Sequence, residues 1–335
     1  MYDLERAYGL GLIINALTSG TTKVFNRGLY YEIKDNGLDY QIERKKGEIL
    51  SLVDKNLEAW EQVLLTTRGE DRKRKKKEKA LEILKRKVEN MLKYYDTISQ
   101  FKEEPKELLT APLELSAIKG IREEVKNRGY QGKQIKIAEE DWVTTIIGAL
   151  HCVTWQYVGK GERVAIIPVP DEKNGVDVSH LRSIKEFLKM GSNRVSTITL
   201  IAHSAVKLYQ ELWQRRRTIN PWMDGFTCFV YGSLEKTGNQ HKAKSGGYFS
   251  LEIFEKLLEV DNGDAILEHF DYIFRMSARP GEEELAINFA DFLLKPNIEN
   301  YSKLLNVYLK NVLKRRIKSP KEAVWEEIMK YVKED

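Results

Sequence analysis

The sequence predicts an α+β protein that is predominantly helical, with a mixed N-terminal domain built on a β-hairpin and a long helical hairpin, and a C-terminal helical bundle. Three observations predict it. Leu4, Tyr8, Leu12 and Ile13 recur at helical spacing at the start of the chain. Alternating apolar and polar residues flank an Asn36-Gly37 dipeptide. From Ser250 onward the apolar spacing is almost wholly helical. A period near 3.6 marks a helix with one buried face, and strict alternation marks a strand.

Taken in order, the first helix runs from Tyr2 to Leu17 and stops at Thr18, Ser19 and Gly20. Leu29, Tyr31 and Ile33, then Leu38, Tyr40 and Ile42, form the arms of a predicted hairpin, because Asn-Gly supplies the positive φ of a tight turn. A helical insertion over 48–101 follows. Ile49, Val53, Leu57, Trp60 and Leu64 mark its first arm, and Leu81, Leu84, Val88, Met91, Tyr95 and Ile98 its second. Steps of three and four keep one side of each arm apolar. An unbroken helix from Arg72 to Phe101 would be about 45 Å long at 1.5 Å per residue, with its basic start at an exposed tip. Arg163 to Val169 and Gly225 to Tyr231 read as buried strands. Between them lie a helix through Leu181, Ile184, Phe187 and Leu188 and a longer one capped by Ser192 or Asn193. The bundle occupies 250–335 in five segments, near 250–259, 262–275, 281–294, 297–317 and 319–333, the last opened by Ser319, Pro320 and Glu322.

The 335 residues, 42% of them hydrophobic, suit about two domains, placed at 1–249 and 250–335. No apolar run approaches a membrane span, and Asp3, Glu5 and Arg6 at the start are unlike an export signal, so a cytoplasmic protein without membrane contact is expected. Two cysteines without a CxxC spacing, Cys152 and Cys228, argue against a disulfide framework or a thiolate zinc site. Abundant Lys and Glu with few Cys fit a thermophile. No cofactor is expected.

Charge carries the functional argument. Between Arg68 and Lys79 there are eight Lys/Arg against three acids, a local +5 that equals the formal net charge of the whole chain. Within that run Arg72, Lys73, Arg74, Lys75, Lys76 and Lys77 follow one another without an acid. Further knots are Arg215, Arg216 and Arg217 beside Trp213 and Trp222, and Lys314, Arg315 and Arg316. Another lies in the glycine-rich stretch Gly232 to Gly247, where Lys236, Lys242 and Lys244 surround Asn239 and Gln240. That stretch reads as a long irregular loop whose lysines reach phosphates and whose amides read base edges. Cations bunched on an otherwise balanced chain are what a polyanion requires, because neutralised phosphates release condensed counterions. These residues are the candidate nucleic-acid contacts.

Catalytic constellations are weaker. His203 beside Ser204 in an apolar helix reads as a core histidine, since adjacent helical positions point apart. Asp171, Glu172, Asp177 and His180 are the best candidates for a divalent metal, although their DEKNG context reads as a turn. A metal-dependent nuclease built on them, and an adapter that binds only proteins, are the competing functional classes.

The opening MYDLERAYGLGLIINALTSG, the segment GLYYEIKDNGLDYQIE, the basic helical insertion, the Lys/Gly stretch before GGYFSLEIF and the helical C-terminus together resemble the large subunit of archaeal type I-A CRISPR effector complexes, over the whole chain. The resemblance implies a non-catalytic subunit of a Cascade assembly in antiviral defence. Such a subunit works with guide RNA, target duplex DNA and its displaced strand. It recognises the motif flanking the target, aids strand separation, and contacts the other subunits and a separate helicase and nuclease. The contact residues named above come from the charge pattern.

Overall fold

Tyr2–Leu17 forms helix α1, as its apolar spacing predicts, and nearly every residue from Leu4 to Ile14 is buried. A helix enclosed on all sides belongs at the centre of a core, and α1 is packed against a second buried helix, α5 (Glu139–Cys152). The computed structural model describes residues 2–18, 20–35, 42–53, 57–63, 70–92, 97–98, 109–110, 136–159, 161–218, 222–237, 240–314, 326 and 329–330.

The two helices touch backbone to backbone. A Cβ built on Gly9 would lie 1.7 Å from the Thr144 carbonyl oxygen, and one on Gly148 would lie 1.7 Å from the Glu5 carbonyl oxygen. Glycine at both positions is therefore a steric requirement. Arg6 Nη1 donates to Asp141 Oδ1 at 3.1 Å across the same crossing, and the Tyr8 hydroxyl donates to the Pro168 carbonyl at 2.8 Å, tying α1 to the main sheet. Glu5 is fully buried, and neither of its carboxyl oxygens has a hydrogen-bond partner among the described residues. Burial pushes its pKa up to about 8, so it is neutral at pH 7.

The first sheet differs from expectation in its pairing. Strand β1 (Thr22–Asn26) pairs antiparallel with β2 (Tyr31–Asp35), joining the buried partners Val24 and Ile33. The turn between them uses Gly28 at φ 79°, with the Arg27 N–H donating to the Tyr30 carbonyl. The hairpin thus lies upstream of the predicted one. Asn36, Gly37, Leu38 and Tyr40 lie outside the described residues, and Ile42 opens helix α2 (Ile42–Ser51). A buried β-branched pair with a glycine turn already in place outweighs a second turn signal.

Helix α3 (Leu57–Val63) and helix α4 (Glu70–Leu92) complete the predicted insertion. Ala80, Leu84, Val88 and Met91 give α4 its buried side. It is shorter than predicted, about 35 Å, because Thr97–Ile98 forms strand β3 on the edge of β2. After the two-residue pair β4 (Leu109–Thr110) and β5 (Lys136–Ile137), α5 leads into β6 (Thr154–Val158) and β7 (Glu162–Pro170). Strand β8 (Val176–Asp177) joins the first sheet beside β1, giving the order β3-β2-β1-β8. A 3-10 turn at Val178–His180 enters α6 (Leu181–Lys189), which precedes α7 (Thr197–Arg216). Ser196, rather than Ser192 or Asn193, caps α7 in a reciprocal capping box with Thr199.

The second sheet has the order β10-β9-β7-β6, all antiparallel, with β9 (Phe226–Thr237) and β10 (Gln240–Ser250) as its long hairpin. The predicted irregular loop is therefore mostly ladder. Gly232 opposes Gly246, the Ser233 and Ser245 hydroxyls hydrogen-bond at 2.7 Å, and β9 is held from its other side by β7. Pairing on both edges of β9 overrides the weak strand propensity of glycine. Helices α8 (Glu252–Leu257), α9 (Gly263–Met276), α10 (Glu283–Leu294) and α11 (Ile298–Leu313) follow, and α9 and α10 pack on α7. The predicted boundary, 249/250, falls at the last residue of β10, and the buried residues of α8–α11 belong to the same apolar cluster as those of α7, β7 and β9. The predicted last helix falls mainly outside the described residues, including Ser319, Pro320 and Glu322.

Gly148→Ala forces the α1–α5 crossing apart and lowers unfolding stability by at least about 3 kcal/mol. Gly47→Ala, in a helix with nothing within 4 Å of the added carbon, raises it by about 0.5–1 kcal/mol. Denaturant titration of both variants distinguishes the two signs. Separately, the folded state holds the Glu5 proton up to about pH 8, whereas an exposed glutamate releases it near 4.5. The contribution is thus fully present below that lower value and is lost as pH rises through the window, on the order of 1.4 kcal/mol per pH unit. Glu5→Gln flattens this decline in urea titrations between pH 5 and 8; an unchanged slope contradicts the assignment.

Candidate nucleic-acid interface

The first two turns of α4 contain the densest positive charge, and helical periodicity sorts it. Lys73 is 7% exposed and lies in line with the half-buried Lys77 and the buried Ala80 and Leu84, so it does not belong to an open surface. Arg72, Lys75, Lys76 and Lys79 stand at positions i, i+3, i+4 and i+7, one helix face about 10 Å long. Arg72, Lys75 and Lys79 are exposed and Lys76 half-buried; none of the four has an ion-pair or hydrogen-bond partner among the described residues. Arg74 is exposed beside them. Cations at a helix N-terminus oppose the macrodipole, and Glu70 and Asp71 in the first turn offset only part of this. Asp71, Glu78 and Glu82 lie within a turn of the stripe but form no ion pair with it among the described residues, so its charge is only partly offset within the helix.

The lower half of α4 shows the opposite arrangement. Arg86 meets Glu139 at 2.6 Å, and Lys87 meets Glu139 at 3.2 Å and Glu140 at 3.3 Å, fastening α4 to the first turn of α5. These carboxylates favour the α5 N-terminus as well. The free stripe is thus held in place by the paired segment that follows it.

The three arginines at the end of α7 serve the fold. Trp222 stacks on His180 at 3.7 Å with an interplanar angle of 6°, and the Arg215 guanidinium is 4.2 Å from the same ring centroid. Two groups that close to one centroid cannot share a face, so no face of Trp222 is open to a base. Arg217 lies 3.9 Å over Trp213. Arg216 donates to the Asp224 carbonyl at 3.0 Å and meets Glu255 at 3.5 Å. Burial raises the Glu255 pKa despite the Tyr209 hydroxyl, the Phe226 N–H and Arg216 that hold its charged form. These contacts give all three arginines intramolecular work, which their clustering in sequence does not reveal.

In the β9–β10 hairpin Lys236 stands opposite His241, and Lys242 opposite Glu235. Asn239 lies outside the described residues, and Gln240 opens β10. Lys244 is exposed and meets Glu162 at 2.5 Å. Glu162 also accepts from the Thr197 hydroxyl, and these two donors hold its pKa down although burial alone would raise it. Lys314 is exposed at the end of α11, while Arg315 and Arg316 lie outside the described residues. The predicted clusters therefore occupy α4, the end of α7, the hairpin and the end of α11; an open, unpaired stripe is described on α4.

Of the candidate metal residues, Asp171 and Asp177 are engaged by backbone N–H groups, His180 by a buried carboxylate, and Glu172 is exposed. Asp171 accepts from the Asn174 and Gly175 N–H groups at 2.7 and 2.8 Å, making the predicted turn. Asp177 caps the 3-10 turn through Ser179. His180 donates Nδ1–H to the buried Asp224 at 2.8 Å. Among the described residues no three His, Cys, Asp or Glu side chains gather to hold a metal. His203 is a fully bonded core histidine. Its Nδ1 accepts from the Ser192 and Asn193 N–H groups and its Nε2 donates to Asp271 at 2.8 Å. Burial opposes ionisation of Asp271, but His203 and Lys207 hold it down to about 2.

Sequence reasoning missed one group. Arg163 of β7 stands opposite Tyr157 of β6, its guanidinium 5.3 Å from the Tyr157 ring centroid and 5.1 Å from that of Trp155. The alternation Trp155-Gln156-Tyr157 beside a Gly159–Gly161 turn was the available signal.

No family model matches the chain. A protein of Archaeoglobus fulgidus, described as uncharacterized, is 28% identical over 347 aligned residues that cover 99% of this chain and 95% of the relative. The chain therefore has an archaeal relative that is co-linear over almost its whole length. No helix among the described residues is long and apolar enough to cross a membrane.

Arg216→Gln leaves Glu255 without its cation and lowers stability by about 1–3 kcal/mol. Nucleic-acid affinity, measured by fluorescence anisotropy below the unfolding transition, stays within about twofold; a large affinity loss in a folded variant contradicts the structural assignment.

Proposed function

We propose that this protein is a non-catalytic, nucleic-acid-binding large subunit of a type I-A CRISPR surveillance complex. In this reading it engages the duplex DNA that flanks a target, aids strand separation beside the guide RNA and helps recruit a helicase and nuclease. The unpaired cationic face of α4 is the observation that carries it. Four basic side chains within two turns, against the helix dipole and without an ion-pair partner among the described residues, form a surface whose free energy falls when phosphates arrive. The resemblance of the sequence to archaeal large subunits favours the same reading, and the archaeal relative is in keeping with the archaeal part of it alone.

The chemistry follows from the stripe. Its exposed positions include no aromatic ring, so α4 meets sugar-phosphate backbone and fixes orientation without reading sequence. The helices α8–α11 offer surface for neighbouring subunits. An adapter binding only proteins would leave the stripe unexplained, and a nuclease built on Asp171, Asp177 and His180 would have to release those side chains from their turns and from Asp224.

Binding of labelled duplex DNA across a salt series tests the reading. Replacing Arg72, Lys75, Lys76 and Lys79 together by Gln lowers the slope of log affinity against log salt by about 3 to 4. A slope unchanged by the substitutions assigns the stripe to plain solvated surface. Absence of binding by the wild-type chain and by its complex with guide RNA favours the adapter.

A further inference from the structure

We propose that the exposed ring of Tyr157, backed by Arg163, is a stacking site for an unpaired nucleotide of a single nucleic-acid strand. The inference rests on the nucleic-acid reading but uses a surface separate from α4.

The local chemistry begins with Arg163. Among the described residues it has no ion-pair partner, and its buried Nε has no hydrogen-bond partner. An arginine is normally fixed by a carboxylate; this one is held by two rings, Trp155 and Tyr157, on the neighbouring strand. The rings orient the planar group while leaving its charge uncompensated. Trp155 is 8% exposed and anchors one side. Tyr157 is 54% exposed on the edge strand of the sheet, and no other aromatic ring covers it among the described residues.

An open ring beside an uncompensated guanidinium matches an unpaired nucleotide in both parts. The base stacks on Tyr157, and the phosphate of the same or the next nucleotide meets Arg163. A duplex cannot use the ring, because its bases are already stacked and paired, which separates this site from the backbone contact of α4. The adjoining turn leaves room for the strand. Gly159 and Gly161 adopt φ 55° and 99°, and a Cβ on Gly159 would meet nothing within 4 Å. Lys236, paired with His241, stands two residues along β9 from Leu234, which lies opposite Arg163. The chemistry is shared by a displaced DNA strand and an exposed stretch of RNA, so both are probed.

The test uses the full chain with single-stranded DNA and RNA of about 20 nucleotides carrying 2-aminopurine, alongside duplex DNA of the same sequence. Tyr157→Ala weakens single-strand binding roughly 5- to 100-fold and abolishes the change in 2-aminopurine emission, while Tyr157→Phe preserves both. Arg163→Gln lowers the single-strand salt slope by about 0.7. Duplex affinity stays within about twofold for the Tyr157 variants, whose circular dichroism matches the wild type. Unaltered single-strand binding by Tyr157→Ala overturns the site and leaves the α4 reading intact, and an equal loss for duplex and single strands overturns it as well. If the wild type binds neither form of nucleic acid, the broader reading falls with it.

Discussion

The contact of α1 with α5 through Gly9 and Gly148 determines where the rest of the molecule can be. Backbone atoms at that crossing leave no room for a methyl group, which fixes the separation and angle of two buried helices from distant parts of the sequence. α1 leads directly into β1 and holds β7 through Tyr8. α5 leads into β6 and receives Arg86 and Lys87 from α4. A shift at the crossing would reach both sheets and the basic helix together. The cost of this arrangement is visible in Glu5, whose carboxyl is enclosed without a described partner and retains its proton.

Positive charge is divided into two kinds by the fold. Arg215, Arg216, Arg217, Arg86, Lys87 and Lys244 are committed to rings, carbonyls or carboxylates, so a partner would have to compete with existing contacts. Arg72, Lys75, Lys76, Lys79 and Arg163 form no ion pair among the described residues. Committed cations contribute to stability through short-range geometry, whereas uncommitted ones contribute to association through counterion release. Density of charge in the sequence does not separate the kinds. The α7 arginines are as tightly clustered as those of α4, and only the positions of Trp213, Trp222 and Glu255 show that they are occupied.

Elements with a long, regular apolar period were legible from sequence. α1, β7, α6 and α9–α11 lie where the spacing predicts, because burial of one face or one run decides each of them locally. The misreadings come from pairing between distant segments. Tyr31–Asp35 had two possible partners on either side, and contact with Val24 decided between them. The glycine-rich stretch carries a loop's composition, yet β7 fixes β9 from outside that stretch. Helix α5 was not anticipated, although its burial is what positions α4. Of the candidate contacts, the α4 run was visible as composition, but its division into a buried Lys73 and an open face required the helix. Arg163 was invisible as a contact because its partners are one strand away and are rings rather than acids.

The account depends on the α4 face being occupied by phosphates while the lower half of the same helix stays bound to α5. Lysine reactivity toward a small acylating reagent, read by mass spectrometry with and without duplex DNA, measures both at once. Protection of Lys75, Lys76 and Lys79 by DNA with Lys87 unchanged is the predicted result. Equal reactivity of all four lysines in the presence and absence of a saturating duplex would contradict it.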